Sequence, residues 1–130
     1  MKRMLSTMLV IAAFLSVGVV QAFAATRSLH AAVDLLPSQA RNYSSNVSGS
    51  SCVHAGSNAT TSKHRVYFVP EYLSGTSWTE DASKKLLYAG EAYSGVETYS
   101  FATEQTWHLE LDAYGPNKDC TASGFIEARN

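Results

Sequence analysis

The sequence predicts an all-β fold, either an antiparallel β-sandwich or a small barrel of about six or seven short strands. Two observations support this prediction. Several short segments alternate between apolar and polar side chains, as a strand with one buried face requires. Clusters of Gly, Pro, Asn, Asp and Ser separate these segments, and such clusters favour the tight turns that join antiparallel strands.

The clearest strand covers residues 106–114. Its even-numbered positions are polar, and its odd-numbered positions are Trp107, Leu109, Leu111 and Ala113. This alternation predicts a strand with one face in the core and a solvated polar face. A second alternating segment covers 120–128, and the turn cluster 115–119 joins the two. We therefore expect residues 107–114 and 120–128 to pair as an antiparallel hairpin.

The other strands are less sharply defined. Residues 65–69 are β-branched and aromatic, and Pro70 predicts that this strand ends at an edge or a bulge. Residues 84–93 favour a strand over a helix, and residues 96–103 alternate after a turn at Ser94-Gly95.

Two segments nearer the N-terminus are also ambiguous. Residues 42–62 contain only a weak strand that leads to Cys52 and then a loop. Residues 28–36 leave two alternatives open, a short helix that ends at Pro37 or an N-terminal strand.

The first 24 residues have the pattern of a secretory signal peptide. A basic start precedes a short apolar segment, and Ala22-Phe23-Ala24 fits the small-x-small cleavage pattern. We expect cleavage after Ala24, which leaves residues 25–130 as one exported domain, periplasmic or secreted, with no further membrane-spanning segment. A permanent membrane anchor is the alternative, but the apolar run is short for a spanning helix.

Removal of the signal peptide changes the composition of the 130-residue chain. The formal net charge becomes −3 instead of −1, because Lys2 and Arg3 are lost. This charge argues against a nucleic-acid partner, since domains that bind phosphates usually carry a basic patch.

Cys52 and Cys120 are the only cysteines in the chain. An even number of cysteines in an exported protein predicts a disulfide bond between them. Neither residue belongs to a CxxC motif, and neither has the close Cys and His partners of a structural zinc site, although His54 lies two residues from Cys52.

The sequence contains no motif that identifies an enzyme. A Gly-x-Ser-x-Gly elbow, a phosphate loop, HExxH and a dinucleotide fingerprint are all absent. His108, Glu110 and Asp112 share one strand face, but neighbours two apart on a strand are separated by roughly 6.8 Å, so a solvated polar face is favoured over a metal site. We expect no catalytic residues, no metal and no cofactor. A small hydrolase that uses His108 with a nearby acid is a weaker alternative.

Tyrosine is the most informative feature for function, because all seven Tyr lie beyond residue 24. Tyr gives a large, rigid and amphipathic contact surface and is enriched at recognition surfaces, although it also suits strands. The sequence predicts an exported binding module that recognises a protein or a glycan through its loops and a Tyr-rich surface. The candidate binding residues are Tyr88, Tyr93 and Trp78. The alternative is a small inhibitor or immunity-type protein that acts on an envelope or extracellular enzyme, with the 115–119 turn or the 74–78 loop as its inserting element.

Overall fold

The structure is a computed structural model that describes residues 29–130, so the predicted signal peptide lies outside the described residues. Within this range the chain forms ten β-strands and no helix. The strands are β1 (His30–Leu35), β2 (Arg41–Tyr43), β3 (Val47–Gly49), β4 (Ser51–Asn58), β5 (Val66–Ser74), β6 (Ser77–Glu80), β7 (Lys85–Leu87), β8 (Ala92–Glu97), β9 (Gln105–Ala113) and β10 (Ala122–Arg129).

The strands form two antiparallel sheets that pack face to face. The first sheet has the order β1-β10-β4-β8, and the second has the order β2-β9-β5-β6. Two short strands complete the second sheet, because β3 also pairs with β9 and β7 also pairs with β5. The described residues form no closed barrel, so the all-β antiparallel class predicted from the sequence is confirmed and the barrel alternative is wrong.

The core consists of the inward-facing side chains of both sheets. The first sheet contributes Val33, Leu35 and Ile126, and the second contributes Phe68 and the buried face of β9. Full burial of each large side chain stabilises the fold by roughly 1.5–3 kcal/mol. The odd-numbered residues of β9 predicted to be buried are all 0% exposed: Trp107, Leu109, Leu111 and Ala113.

Two of the uncertain segments are resolved as strands. Residues 30–35 form β1, which pairs with β10, so the helix alternative is wrong. The segment 84–93 contains β7 and the start of β8, with a turn between them. Short pairings of this kind raise the strand number to ten, against the six or seven predicted.

The predicted hairpin is wrong, because β9 and β10 belong to different sheets. β9 lies between β2 and β5, whereas β10 lies between β1 and β4. The turn cluster 115–119 therefore carries the chain across the sandwich. Both connections need the same turn residues, so the local sequence does not distinguish them.

Pro70 does not end its strand, since β5 continues to Ser74. On one side of β5, β7 pairs with residues 66–68 and β6 pairs with residues 71–74. Pro70 lies between these two partners, where no neighbouring strand needs a donor from its nitrogen. Its carbonyl accepts a hydrogen bond from the backbone of Asp81 (2.9 Å). A proline is tolerated in this central strand because it lies at a gap in the pairing.

The predicted disulfide is also wrong, since both cysteines are free and buried. Cys52 lies opposite Ala128 at one end of the first sheet. Cys120 precedes Ala122 at the other end of β10, and the six residue steps from Ala122 to Ala128 span about 20 Å. A disulfide requires Cα atoms about 4.4–6.8 Å apart. The cysteines lie at opposite ends of the same strand pair.

Within the described residues, no helix has the length and apolar character needed to cross a membrane.

Candidate functional site

The outer face of the second sheet is the most distinctive surface of the described residues. Its register is set by the pairs Glu71–Glu80, Glu71–His108 and Tyr43–Glu110, whose side chains share a face. We call this surface the outer face, and it comprises Arg41, Tyr43, Tyr67, Val69, Glu71, Leu73, Trp78, Glu80, His108, Glu110 and Asp112.

Three rings cross the outer face at one end. Trp78, on the edge strand β6, stacks on the imidazole of His108 with ring centroids 3.7 Å apart and an interplanar angle of 18°. Tyr43, on β2, contacts the same imidazole at 5.0 Å. Trp78 is 37% exposed and Tyr43 is 45% exposed. The result is a strip of aromatic surface that runs across the strands.

A carboxylate holds the central ring of this strip in place. Nε2 of His108 lies 2.6 Å from Oε1 of Glu71. Both side chains are largely covered, and only 8% of His108 and 13% of Glu71 remains accessible. The predicted solvated polar face is therefore wrong at its centre, because Trp78 and Tyr43 contact the imidazole and help to cover it.

A charged band lies next to the strip. Arg41 contacts two acids of β9, with its Nε 2.7 Å from Oε2 of Glu110 and its terminal nitrogen 3.2 Å from Oδ2 of Asp112. Burial raises the pKa of Glu110 to about 7, the negative charge of Glu71 also raises it, and Arg41 opposes them. Arg41 is half exposed, so water and salt screen its charge. The band therefore holds two acids and one cation, and Glu110 is only partly ionised near pH 7.

A second aromatic group lies at the opposite end of this sheet. The guanidinium carbon of Arg65 lies 4.1 Å from the ring centroid of Tyr114 and 5.4 Å from that of Tyr88. Tyr67 adds a further contact with Tyr114 at 6.0 Å. These residues adjoin an open cavity of about 380 Å³ whose lining includes His64. Arg65 and the rings form a cation–π cluster that is accessible to a ligand.

The three predicted binding residues lie in different environments. Trp78 is part of the strip, and Tyr88 (56% exposed) lines the cavity. Tyr93 lies in β8 instead, where its ring packs against Phe68 and its hydroxyl lies 2.5 Å from Nδ1 of His54. Burial of Tyr93 raises the pKa of its hydroxyl well above the ordinary value. Its polar atom is directed into the protein.

His54 is a fully buried polar residue inside the sandwich. Its second ring nitrogen, Nε2, lies 3.1 Å from the hydroxyl of Ser83, and the nearby carboxylate of Asp81 accepts a bond from the backbone nitrogen of Ser83. Burial lowers the pKa of His54 to about 4, and the charge of Asp81 only partly offsets this effect. His54 is therefore neutral near pH 7, with both ring nitrogens bonded.

The weaker alternative from the sequence was a small hydrolase that uses His108. His108 has a nearby acid, Glu71, but Trp78 covers the imidazole. The group of potential metal ligands found within residues 29–130 is also elsewhere: it consists of His64, Asp119 and Cys120.

Searches against protein-family models, curated proteins and solved structures return no match for this chain.

The sequence predicted the residue types of the outer face but not their grouping. Tyr43 lies in a polar segment with only a weak strand pattern, and Arg41 carries no local signal. The alternation of His108 and Glu110 with apolar residues was visible, yet only the pairing of β9 with β2 and β5 shows what covers them.

Proposed function

We propose that this protein is an exported binding module that recognises a neutral glycan on the outer face of the second sheet. The observation that supports this proposal is the arrangement of that face, in which the exposed rings of Trp78 and Tyr43 lie beside a band of carboxylates. A sugar has an apolar C–H face that stacks on aromatic rings and hydroxyl groups that donate to carboxylates.

The charge distribution favours a glycan over a protein partner. The core of a protein interface is depleted in charged side chains, whereas this face carries Glu71, Glu80, Glu110 and Asp112 close to the rings. Arg41 is the only cation among the residues that define the outer face. Glu80 and Asp112 are the more exposed of these acids and can accept hydrogen bonds from hydroxyl groups, and the excess of acids over cations disfavours anionic polymers. The proposed ligand is therefore a neutral polysaccharide rather than a sulfated or uronic-acid polymer.

Affinity electrophoresis through gels that contain soluble polysaccharides tests this proposal. We expect a neutral glucan, xylan or mannan to retard the protein, and an anionic polymer such as heparin to leave its mobility unchanged. Trp78→Ala and Tyr43→Ala should each weaken binding by roughly three- to tenfold, because a stacked ring contributes about 0.5–1.5 kcal/mol beyond its buried area.

Two further variants make the test specific. Tyr99→Ala removes a ring that is 66% exposed but does not belong to the outer face, so this variant should bind like the wild type. Trp78→Phe keeps a ring over His108 and should retain part of the affinity. The proposal fails if no neutral polysaccharide retards the protein, or if the Tyr43 and Trp78 variants bind as tightly as the wild type. An envelope or extracellular enzyme captured by the same face would support the inhibitor alternative instead.

A further inference from the structure

Two chain connections meet at one end of the sandwich and are fixed to each other by hydrogen bonds. The backbone nitrogen of Lys63 donates to the carbonyl of Asp119 (3.2 Å). The hydroxyl of Ser62 donates to the carbonyl of Thr121 (3.0 Å) and accepts from the backbone nitrogen of Thr121 (2.8 Å). The loop between β4 and β5 is therefore held against the segment before β10, and the side chains they carry are already positioned.

Three different kinds of metal ligand converge where these connections meet. An imidazole nitrogen of His64, a carboxylate oxygen of Asp119 and the sulfur of Cys120 all lie within 4.8 Å of one another. Nδ1 of His64 is 2.7 Å from Oδ1 of Asp119, and Sγ of Cys120 is 3.8 Å from the same oxygen. Tetrahedral coordination with bonds of about 2.0–2.3 Å separates its ligand atoms by roughly 3.3–3.8 Å. Small side-chain movements would therefore create that geometry.

We propose that His64, Asp119 and Cys120 bind a Zn²⁺ ion. The sulfur ligand disfavours Ca²⁺ and Mg²⁺, which prefer oxygen, whereas a thiolate, an imidazole and a carboxylate together suit zinc. Binding transfers the proton of the Cys120 thiol to solvent, and the resulting thiolate and the carboxylate balance the charge of the ion. No oxidation or reduction is involved.

The sulfur of Cys120 gives up one hydrogen bond when it binds an ion. The thiol donates to the backbone carbonyl of His64 at 3.3 Å. That carbonyl also accepts a hydrogen bond from Nδ2 of Asn58 (3.2 Å), so it keeps a donor when the thiol is deprotonated. No buried acceptor is left unpaired by the change, which removes one of the main costs of binding.

The site has an inner side and an outer side. Cys120 is fully buried, whereas the side chains of His64 and Asp119 are 39% and 38% exposed. Three protein ligands leave a fourth position, and solvent reaches the site from the side of His64 and Asp119. Zinc sites with three protein ligands and one water differ from closed structural sites in this respect.

Metal titration of the reduced, tag-free protein tests the proposal. We expect the wild type to bind one equivalent of Zn²⁺ by calorimetry, with release of a proton. With Co²⁺ in place of Zn²⁺ we expect thiolate-to-metal charge-transfer absorption in the near ultraviolet. Cys120→Ala should abolish that absorption, and Cys52→Ala, which removes the other buried thiol, should leave it unchanged.

Cys120 is buried, so its substitution could also disturb the core. Two further variants therefore change the partly exposed ligands. His64→Gln and Asp119→Asn should each weaken Zn²⁺ binding roughly tenfold or more while circular dichroism shows an intact fold. The proposal is overturned if the wild type binds less than one equivalent. It is also overturned if the absorption survives in Cys120→Ala, or if both exposed variants bind as tightly as the wild type.

Discussion

His54 shows how a single buried residue links the fold to pH. Its imidazole is 0% exposed and is bonded to Tyr93 and Ser83. The pKa is about 4 in the folded protein against 6.5 for an ordinary histidine. Between these values the unfolded chain binds a proton that the folded chain does not bind, so acidification favours unfolding. The stabilisation by neutral His54 is complete above pH 6.5 and is lost as the pH falls towards 4.

The size of this loss follows from the shift in the pKa of His54. A pKa lowered from 6.5 to about 4 corresponds to about 3 kcal/mol of unfolding free energy across that pH range. His54→Gln keeps a donor and an acceptor in the same place but does not titrate. Urea denaturation at several pH values should show that the wild type loses about 3 kcal/mol more than this variant between pH 6.5 and pH 4.

A neighbouring substitution serves as the control for His54→Gln. Ser83→Ala removes the hydroxyl bonded to Nε2 but leaves the titrating imidazole, so the pH dependence should persist. Parallel pH profiles for the wild type and His54→Gln would contradict the assignment of His54 as the source of the acid sensitivity.

Gly56 allows the two sheets to pack closely where β4 faces β5. A Cβ atom at this position of β4 would lie 2.5 Å from Cδ2 of Phe68 and 3.1 Å from the ring of Tyr93. Phe68 belongs to the opposite sheet and is fully buried, so its ring could make room for a methyl group only by displacing other core side chains. The absence of a side chain at Gly56 lets this ring reach the backbone of β4.

Gly56→Ala should therefore destabilise the protein by about 2 kcal/mol, as overpacking of a dense core does. Strand propensity alone predicts that Gly56→Ala stabilises the protein, because Gly is less favourable than Ala inside a strand. Ser57→Ala, at the next position of β4, is the matched control and should change stability by less than about 0.5 kcal/mol. Chemical denaturation measures both. A Gly56→Ala variant as stable as the wild type would show that the sheets can move apart at little cost.

The elements also show what the local sequence could predict. The alternation in β9 predicted its buried face correctly, because that pattern depends only on the pleat of one strand. The partner of β9 was predicted incorrectly, because pairing is decided by residues far away in the chain. His108 and Glu110 became buried for the same reason: Tyr43 and Trp78, which help to cover them, come from β2 and β6. A single strand carries no information about its neighbours.

The fold as a whole is held together without a covalent link between its two cysteines. The sequence predicted a disulfide between Cys52 and Cys120, yet the two residues lie at opposite ends of β4 and β10. Burial raises the pKa of the Cys52 thiol to about 12, so this residue stays protonated and packs as a small apolar side chain. The packed inner faces of the two sheets, rather than a covalent link, must supply the stability.

The stability of the intact protein should therefore not depend on reductant. Thermal denaturation with and without a non-thiol reductant should give the same midpoint within about 1 °C, whereas loss of a disulfide that closes this loop would cost about 2–5 kcal/mol. A thiol reagent should modify two cysteines per chain after unfolding but react slowly with the native protein, because both thiols are buried. A lower midpoint under reducing conditions, or fewer than two thiols in the unfolded chain, would contradict the separation of the cysteines. Addition of Zn²⁺ should not change the thiol count after unfolding in a chelator, so this result does not depend on metal binding at Cys120.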